Sequence, residues 1–213
     1  CRALNKRFFT FHENKRPYVM LKWAETQDGF IDKIRTDNTQ EINWITQPET
    51  KTLVHQWRSE EHAILIGSTT ALNDNPALTV RNVKGINPIR ILIDRTLKVN
   101  SNASIFNSES KTIILNELKN EEVGNLKYIQ LSNFSVKSIL DTLYKENIQS
   151  VIIEGGAKTI QHFIDEDLWD EARVLVGKTK FNEGIKAPEL TIRPKNHTLF
   201  YGDTVYHYQN KKK

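Results

Sequence analysis

The sequence predicts an α/β fold with a mostly parallel central sheet flanked by helices, and with antiparallel strands at the edge. Three observations predict it. Short continuous apolar runs, such as Ala63-Ile64-Leu65-Ile66 and Val151-Ile152-Ile153, have the length and β-branched character of strands buried on both faces. Segments with helical apolar spacing fall between these runs. The last two strand-like segments have no clear helix between them, which suits antiparallel pairing.

The elements follow in order. Residues 1–16 are polar and basic, with Phe8, Phe9 and Phe11 set among them, and read as a connecting arm that packs against the domain. Pro17 to Ala24 reads as the first, central strand, and Asp28-Gly29 as a turn. A helix is expected after Asn43 to Thr46, with Thr46 as N-cap, Pro48 in the first turn and Glu49 completing a capping box. It carries Leu53, Val54 and Trp57 and runs to about Ser59. Ala63 to Gly67 is the next strand. Ser68 or Thr69 is expected to cap a short helix that ends before Pro76. Ile89 to Ile93 is a third strand, ending at Asp94; Thr112 to Leu115 and Tyr128 to Leu131 are two more. Ser135 to Lys145 reads as a helix, with Val136, Ile139, Leu140 and Leu143 on one face. Ser150 to Ile153 is a strand, Lys158 to Glu166 a helix, and Glu171 to Val176 and Thr204 to Tyr208 complete the strands. The chain reads as one domain.

Composition narrows the function classes. Of 213 residues, 38% are hydrophobic and 26% charged, an ordinary globular mixture, and no apolar run approaches the ~20 residues of a membrane helix. The net charge of +4 is partly the tail Lys211-Lys212-Lys213, and the remaining cations are scattered among acids. That favours a local site for a phosphorylated small molecule over a nucleic-acid surface. One cysteine leaves no internal disulfide and suggests an intracellular, cytoplasmic setting. Position 1 is Cys rather than Met, read here as a fragment of a longer protein.

Four constellations can carry chemistry. Gly155-Gly156 lies between an apolar strand and a helix start, where close backbone approach and free N–H groups suit a phosphate or pyrophosphate; a plain tight turn reads equally well. Glu154 ends that strand, where ligands bind in open α/β sheets, and can accept from sugar hydroxyls or a pyrimidine N–H; a cap or ion pair is the bland alternative. In the run Gly67 to Arg81, Thr70 and Asp74 share one helix face and Arg81 can grip a phosphate, although a surface loop accounts for the same residues. Lys22, within an apolar strand beside Trp23, needs a partner for its charge, either an ion pair or a bound anion. Trp44 can stack on a flat ring, and core packing is the commoner fate. His12, His55, His62, His162, His197 and His207 show no ligand spacing, no metal site is expected, and neither a GxSxG elbow nor a Walker lysine occurs. The residues suit an enzyme whose cofactor carries the chemistry.

In sequence order, Leu21-Lys22-Trp23-Ala24, Asp28-Gly29, Trp44-Ile45-Thr46, His62-Ala63-Ile64-Leu65, Asp74-Asn75-Pro76-Ala77-Leu78-Thr79-Val80-Arg81, Pro88-Ile89-Arg90, Ile93-Asp94 and Glu154-Gly155-Gly156 resemble the reductase domain of the bifunctional riboflavin-biosynthesis deaminase/reductase family. The resemblance runs from about Pro17 to about Val176. Asn5 to His12 is similar to the segment joining the two domains of that family, so residues 1–16 would be an interdomain arm and 17–213 the reductase domain. No deaminase signature is present.

The resemblance implies a dihydrofolate-reductase-like fold, NADPH as hydride donor, a homodimer, and a deaminase domain on the same full-length chain. It implies reduction of 5-amino-6-(5-phosphoribosylamino)uracil to its ribityl form, with no nucleic acid or membrane partner. Glu25, Trp44, Thr70, Asp74, Gly155 and the turn from Gly156 to His162, including Gly156, Ala157, Lys158, Thr159 and Ile160, would touch the cofactor. Arg58, Leu78, Arg81 and Glu154 would touch the substrate, the two arginines at its phosphate. Lys22, Asp74 and Glu154 would serve at the reacting sugar; the proton donor stays open between Lys22, Asp74 and a water. Two positions depart from the family pattern. Ile42 stands where relatives place a serine, and Arg95 where a small polar residue occurs near the cofactor, so Arg95 can instead meet the 2′-phosphate. A reductase of another pterin or riboside, and a non-catalytic scaffold domain, are the rival readings.

Overall fold

The computed structural model describes residues 2–35 and 42–210. Its frame is a ten-stranded sheet. In chain order the strands are β1 (Tyr18–Glu25), β3 (Ala63–Gly67), β4 (Ile89–Ile93), β5 (Thr112–Asn116), β6 (Glu121–Val123), β7 (Leu126–Gln130), β8 (Ser150–Ile153), β9 (Glu171–Val176), β11 (Asn196–Phe200) and β12 (Asp203–Gln209). A separate pair joins β2 (Phe30–Asp32) to β10 (Ile185–Lys186). The spatial order is β11-β12-β9-β1-β8-β3-β4-β5-β7-β6. From β9 through β7 every pairing is parallel; β12 on β9, β11 on β12 and β6 on β7 are antiparallel. The expected mostly parallel sheet with antiparallel edges is therefore present.

Five helices dress it: α1 (Lys6–Asn14), α2 (Thr50–Glu60), α3 (Ser68–Asp74), α4 (Val136–Lys145) and α5 (Ala157–Asp165). Alternation along the strands divides the core. Leu21, Trp23, Leu65, Val151 and Ile153 meet Ile139, Leu140 and Leu143 of α4 and Ile160 and Phe163 of α5. Met20, Ile64, Ile66, Leu92 and Ile152 meet Trp57 of α2, Ala71 of α3 and Leu78 on the other face. Both faces are covered, so these strands read as unbroken apolar runs.

Several local expectations need correction. The helix after Trp44 begins at Thr50, and Thr46 does not cap it. The Asp203 carboxylate instead anchors the segment leading into the helix, accepting from the Gln47 N–H at 2.8 Å and the Thr50 hydroxyl at 2.6 Å. Nothing local to the helix start signals a partner 153 residues away. The short helix α3 is preceded by Gly67 without a side-chain cap, so neither Ser68 nor Thr69 caps it. Ser135, by contrast, does cap α4, accepting from the Ser138 N–H at 3.2 Å. The arm contains a helix, α1, that packs Phe11 against Tyr144 and ties Lys6 to Glu171 and Arg7 to Glu61. Arg16 then donates its fork to Asp170 at 2.6 Å twice, where the arm joins β1.

Candidate active site

Parallel register brings the site together. Leu21 of β1 lies beside Ile153 of β8, so Lys22, still within β1 and paired with Arg173 of β9, stands next to Glu154, the first residue beyond β8. Glu154 is held in line by its N–H, which donates to Leu65 O at 3.0 Å. Lys22 Nζ donates to Glu154 Oε2 at 3.3 Å. From α2, Arg58 donates Nε and Nη2 to the two oxygens of Glu154 at 2.8 Å each. All three side chains are nearly buried, at 13%, 7% and 13% exposure for Lys22, Glu154 and Arg58. The buried lysine thus has the ion-pair partner its position demanded, and the triad keeps one net positive charge.

Burial alone would raise the Glu154 carboxyl, but the Arg58 guanidinium and the Lys22 ammonium outweigh it and bring it down to about 2. The Lys22 pKa is lowered by burial first, and the Arg58 charge adds to this against the attraction of Glu154. An ammonium so placed gives up a proton more readily than a solvated lysine, which suits a proton donor.

Beside this triad, two strand-to-helix turns converge. Gly67 ends β3 and leads into α3; Gly155 and Gly156 follow β8 and lead into α5. Their backbone angles are ordinary, so the need for glycine is one of space. A Cβ on Gly67 would stand 2.9 Å from Thr159 Oγ1, one on Gly155 3.1 Å from Thr159 Cβ, and one on Gly156 3.3 Å from Thr70 Oγ1. The first turn of α5 offers N–H groups that no preceding turn accepts. Thr159 and Ile160 turn theirs back to Gly156 O at 3.0 and 3.2 Å, leaving Ala157 and Lys158 as the forward donors.

The other expected residues separate into groups. Thr70 and Asp74 do share α3, and Asp74 pairs with Arg35 at 3.0 Å. Burial raises the Asp74 carboxyl to about 6; Arg35 opposes this and the neighbouring Asp32 carboxylate adds to it. Trp44 is exposed, at 57%, with the Lys51 ammonium 3.3 Å from its ring centroid, so it is not core. Leu78 is buried in the core and left-handed, with φ 55°. Arg81 is exposed and makes no ion pair among the described residues. Glu25 lies on the strand face opposite Lys22, accepts from the Trp23 indole N–H at 2.7 Å, and has its pKa raised by burial. Ile160 points into the core, and His162 pairs with Glu166 at 2.9 Å along α5. Arg95 is exposed and pairs with Glu117, while Ile42 is exposed.

Sequence reasoning missed Arg35, which bridges Asp32 and Asp74, and Asn43, which donates to Asp32 at 2.7 Å. It also missed the role of His55, whose spacing of three from Arg58 on one helix face was the available signal. A cleft of about 750 Å³ lies elsewhere: Lys6, Arg16, Tyr18, Lys137 and Asp170 line it at the amino ends of β1 and β9. Open parallel sheets bind ligands at the carboxyl ends, so the triad and the glycine turns mark the site rather than that cleft.

A family model described as the RibD C-terminal domain matches residues 17–179. The chain belongs to the RibD C-terminal domain family. It is 35% identical over 206 residues to the riboflavin biosynthesis protein RibD of Aquifex aeolicus, covering 93% of this chain and 57% of that protein. It therefore spans little more than half the length of this curated relative. A shorter relative from the same organism, named 2,5-diamino-6-ribosylamino-4(3H)-pyrimidinone 5′-phosphate reductase, is 30% identical, with 76% of each chain covered. Among solved structures, the Thermotoga maritima diaminohydroxyphosphoribosylaminopyrimidine deaminase/5-amino-6-(5-phosphoribosylamino)uracil reductase superposes with a TM-score of 0.85 at 30% identity, over 98% of this chain and 60% of that one. A Saccharomyces cerevisiae riboflavin biosynthesis reductase shares the fold, with a TM-score of 0.71 at 22% identity over 97% and 99% of the two chains. The RibD C-terminal family accounts for the whole span from the first central strand to just beyond β9.

Proposed function

We propose that this chain reduces the ribosyl group of 5-amino-6-(5-phosphoribosylamino)uracil to a ribityl group, using NADPH. The observation that carries the reading is the Lys22–Glu154–Arg58 triad, set at the carboxyl end of β8 against the middle of β1 and beside the Gly155-Gly156 turn.

The residues fit a dinucleotide. Gly67, Gly155 and Gly156 let the two turns pack close against Thr159 and Thr70, and the α5 first turn supplies donors for a pyrophosphate. Thr70 and Asp74 would take hydroxyls or phosphate oxygens on the α3 side, and Trp44 would cover a ring. NADPH, when bound, supplies the hydride. The protein holds the opened sugar against it, excludes water and delivers one proton. Arg81, unpaired and exposed, anchors the substrate phosphate. Arg58, committed to Glu154, acts through that carboxylate rather than on the phosphate. Glu154 orients the pyrimidine or sugar, and Lys22 is placed to supply the proton.

A second reading is favoured by the relative named for 2,5-diamino-6-ribosylamino-4(3H)-pyrimidinone 5′-phosphate. The substrate would then be the pyrimidine before deamination, differing at one ring substituent. Absorbance at 340 nm with each pyrimidine in turn, and with NADH replacing NADPH, decides between them. Oxidation with neither pyrimidine, despite saturable NADPH binding, would reject both.

The span of little more than half of the Aquifex relative supports a reductase half, residues 17–213, whose arm, residues 1–16, leads from a deaminase domain. We further infer a homodimer, supported by the exposed edge strand β11, and a cytoplasmic location, supported by the single cysteine. No helix of the described residues is long and apolar enough to cross a membrane.

A further inference from the structure

His55 stands outside the ion triad, yet the triad and the proposed phosphate anchor meet around it. It lies on α2 one turn before Arg58 and is buried, at 6% exposure. Its Nδ1 accepts the backbone N–H of Arg81 at 3.4 Å. Its pKa responds to the charges of Arg58, Arg81 and Glu154 together, which places all three within electrostatic reach of one imidazole.

The turn it touches is pinned from other directions as well. Arg90 donates to Ala77 O at 3.4 Å, and the Val80 N–H donates to Asn87 Oδ1 at 2.8 Å. Between them Leu78 holds a left-handed backbone, which persists only where the surroundings over-determine it. Arg90 and Asn87 fix the turn as far as Val80. Among the described residues, His55 provides the hydrogen bond that fixes the next peptide, the one that carries Arg81.

We propose that His55 is a positioning residue for substrate phosphate: it holds the Arg81 backbone so that the guanidinium is aimed before substrate arrives, and it couples that aim to the helix bearing Arg58. The proposal rests on Arg81 being the phosphate anchor. It requires an unprotonated Nδ1, since an imidazolium has no lone pair to offer. Burial lowers the His55 pKa, and the Arg58 and Arg81 charges lower it further; a backbone hydrogen bond with Thr79 and the Glu154 charge pull the other way without reversing the direction. The acceptor form therefore prevails near neutral pH. A side chain that cannot accept leaves the Arg81 N–H without a partner and the arginine free to wander, a loss of preorganisation felt in binding rather than in hydride transfer.

The test is steady-state NADPH oxidation by the wild type, His55→Ala, His55→Asn, Arg81→Ala and the His55→Ala/Arg81→Ala double variant. Each is measured with the phosphorylated aminouracil riboside and with the same riboside lacking phosphate. Asparagine is included because its side-chain oxygen can accept in place of Nδ1, and because it keeps the proposal testable should the alanine variant not fold. The expected result is a KM for the phosphorylated substrate about tenfold higher in His55→Ala, with kcat within about twofold, no change for the unphosphorylated riboside, and recovery in His55→Asn. In the Arg81→Ala background, loss of His55 should change nothing further. An equal loss with both ribosides, a fall confined to kcat, or full additivity with Arg81→Ala would overturn the role of His55. If Arg81→Ala alone leaves KM unchanged, the phosphate anchor itself is wrong; if it raises KM while His55→Ala does not, only the positioning role fails.

Discussion

Arg58 donates both arms of its guanidinium fork to Glu154, and Lys22 adds a third donor from the neighbouring strand. Three charges so placed have little access to water, and removing the carboxylate would leave two cations facing one another. Glu154→Ala is expected to destabilise the fold by about 3–5 kcal/mol, the usual cost of orphaning a buried charge. Thermal unfolding checks this, and a loss below about 1 kcal/mol would show the triad to be solvated.

The same carboxylate sets an acid limit. Its pKa falls from an ordinary 4.5 to about 2 on folding. A depressed carboxyl contributes stability that is present above the unfolded value and lost as pH falls through the folded one. The wild type should therefore lose on the order of 3 kcal/mol between pH 4.5 and pH 2 from this group. Glu154→Gln, already without the charge, should show a flatter stability profile over that interval. Denaturant titrations at several pH values measure the difference, and parallel profiles would refute it.

Asp74 has the opposite sign. Its pKa rises from 3.8 to about 6, so its ionised form costs stability that is regained as pH falls through that range. Asp74→Asn should stabilise the protein at pH 7.5 by about 1–2 kcal/mol, after allowance for partial exposure, while weakening cofactor binding. In the wild type, kcat/KM should fall below about pH 6 as Asp74 protonates, and Arg35→Ala should move that limb upward, since burial and Asp32 would then act unopposed. A pH–rate profile with an unmoved acid limb in Arg35→Ala would disconnect Asp74 from the reaction.

How much of this was legible in the sequence follows from where the information lay. Ala63 to Gly67 and Ser150 to Ile153 announced themselves because strands buried on both faces must be continuously apolar. Their glycine exits, and Glu154 between them, were visible for the same reason: chemistry at the strand ends is local in sequence. The anchoring of the start of α2 was not, because Asp203 reaches it from the far end of the chain. Nor was β11, whose residues are nearly all exposed and carry no alternating pattern. The helix in the arm hid behind its charges; only Phe11 of its aromatic residues is buried, too little for a stripe. The Arg35–Asp74 pair joins a loop to a helix across 39 positions, and nothing in either segment names the other.

Gly156 lies so near α3 that a methyl group there would stand 3.3 Å from Thr70 Oγ1. The fold can absorb this by a small movement of one flexible hydroxyl, so Gly156→Ala should shift Tm by only a few degrees. A dinucleotide phosphate seated on the α5 first turn has no such freedom, because the methyl occupies the approach to the backbone donors. The Kd for NADPH is expected to rise about tenfold, measured by fluorescence titration. An unchanged Kd would mean that the glycine serves only the turn.

Arg95 tests cofactor choice separately. It is exposed at the end of β4, paired with Glu117, and a surface pair of this kind contributes about 1 kcal/mol or less to stability. Its removal should therefore leave folding intact. If it meets the adenosine 2′-phosphate, it must exchange Glu117 for that dianion on binding, and Arg95→Ala should raise the KM for NADPH by about tenfold while leaving NADH untouched. Glu117→Gln should do the reverse, freeing the guanidinium and lowering the KM for NADPH. Equal effects on both cofactors in the two variants would assign Arg95 to the surface alone, and discrimination between the cofactors would then have to arise elsewhere on the site.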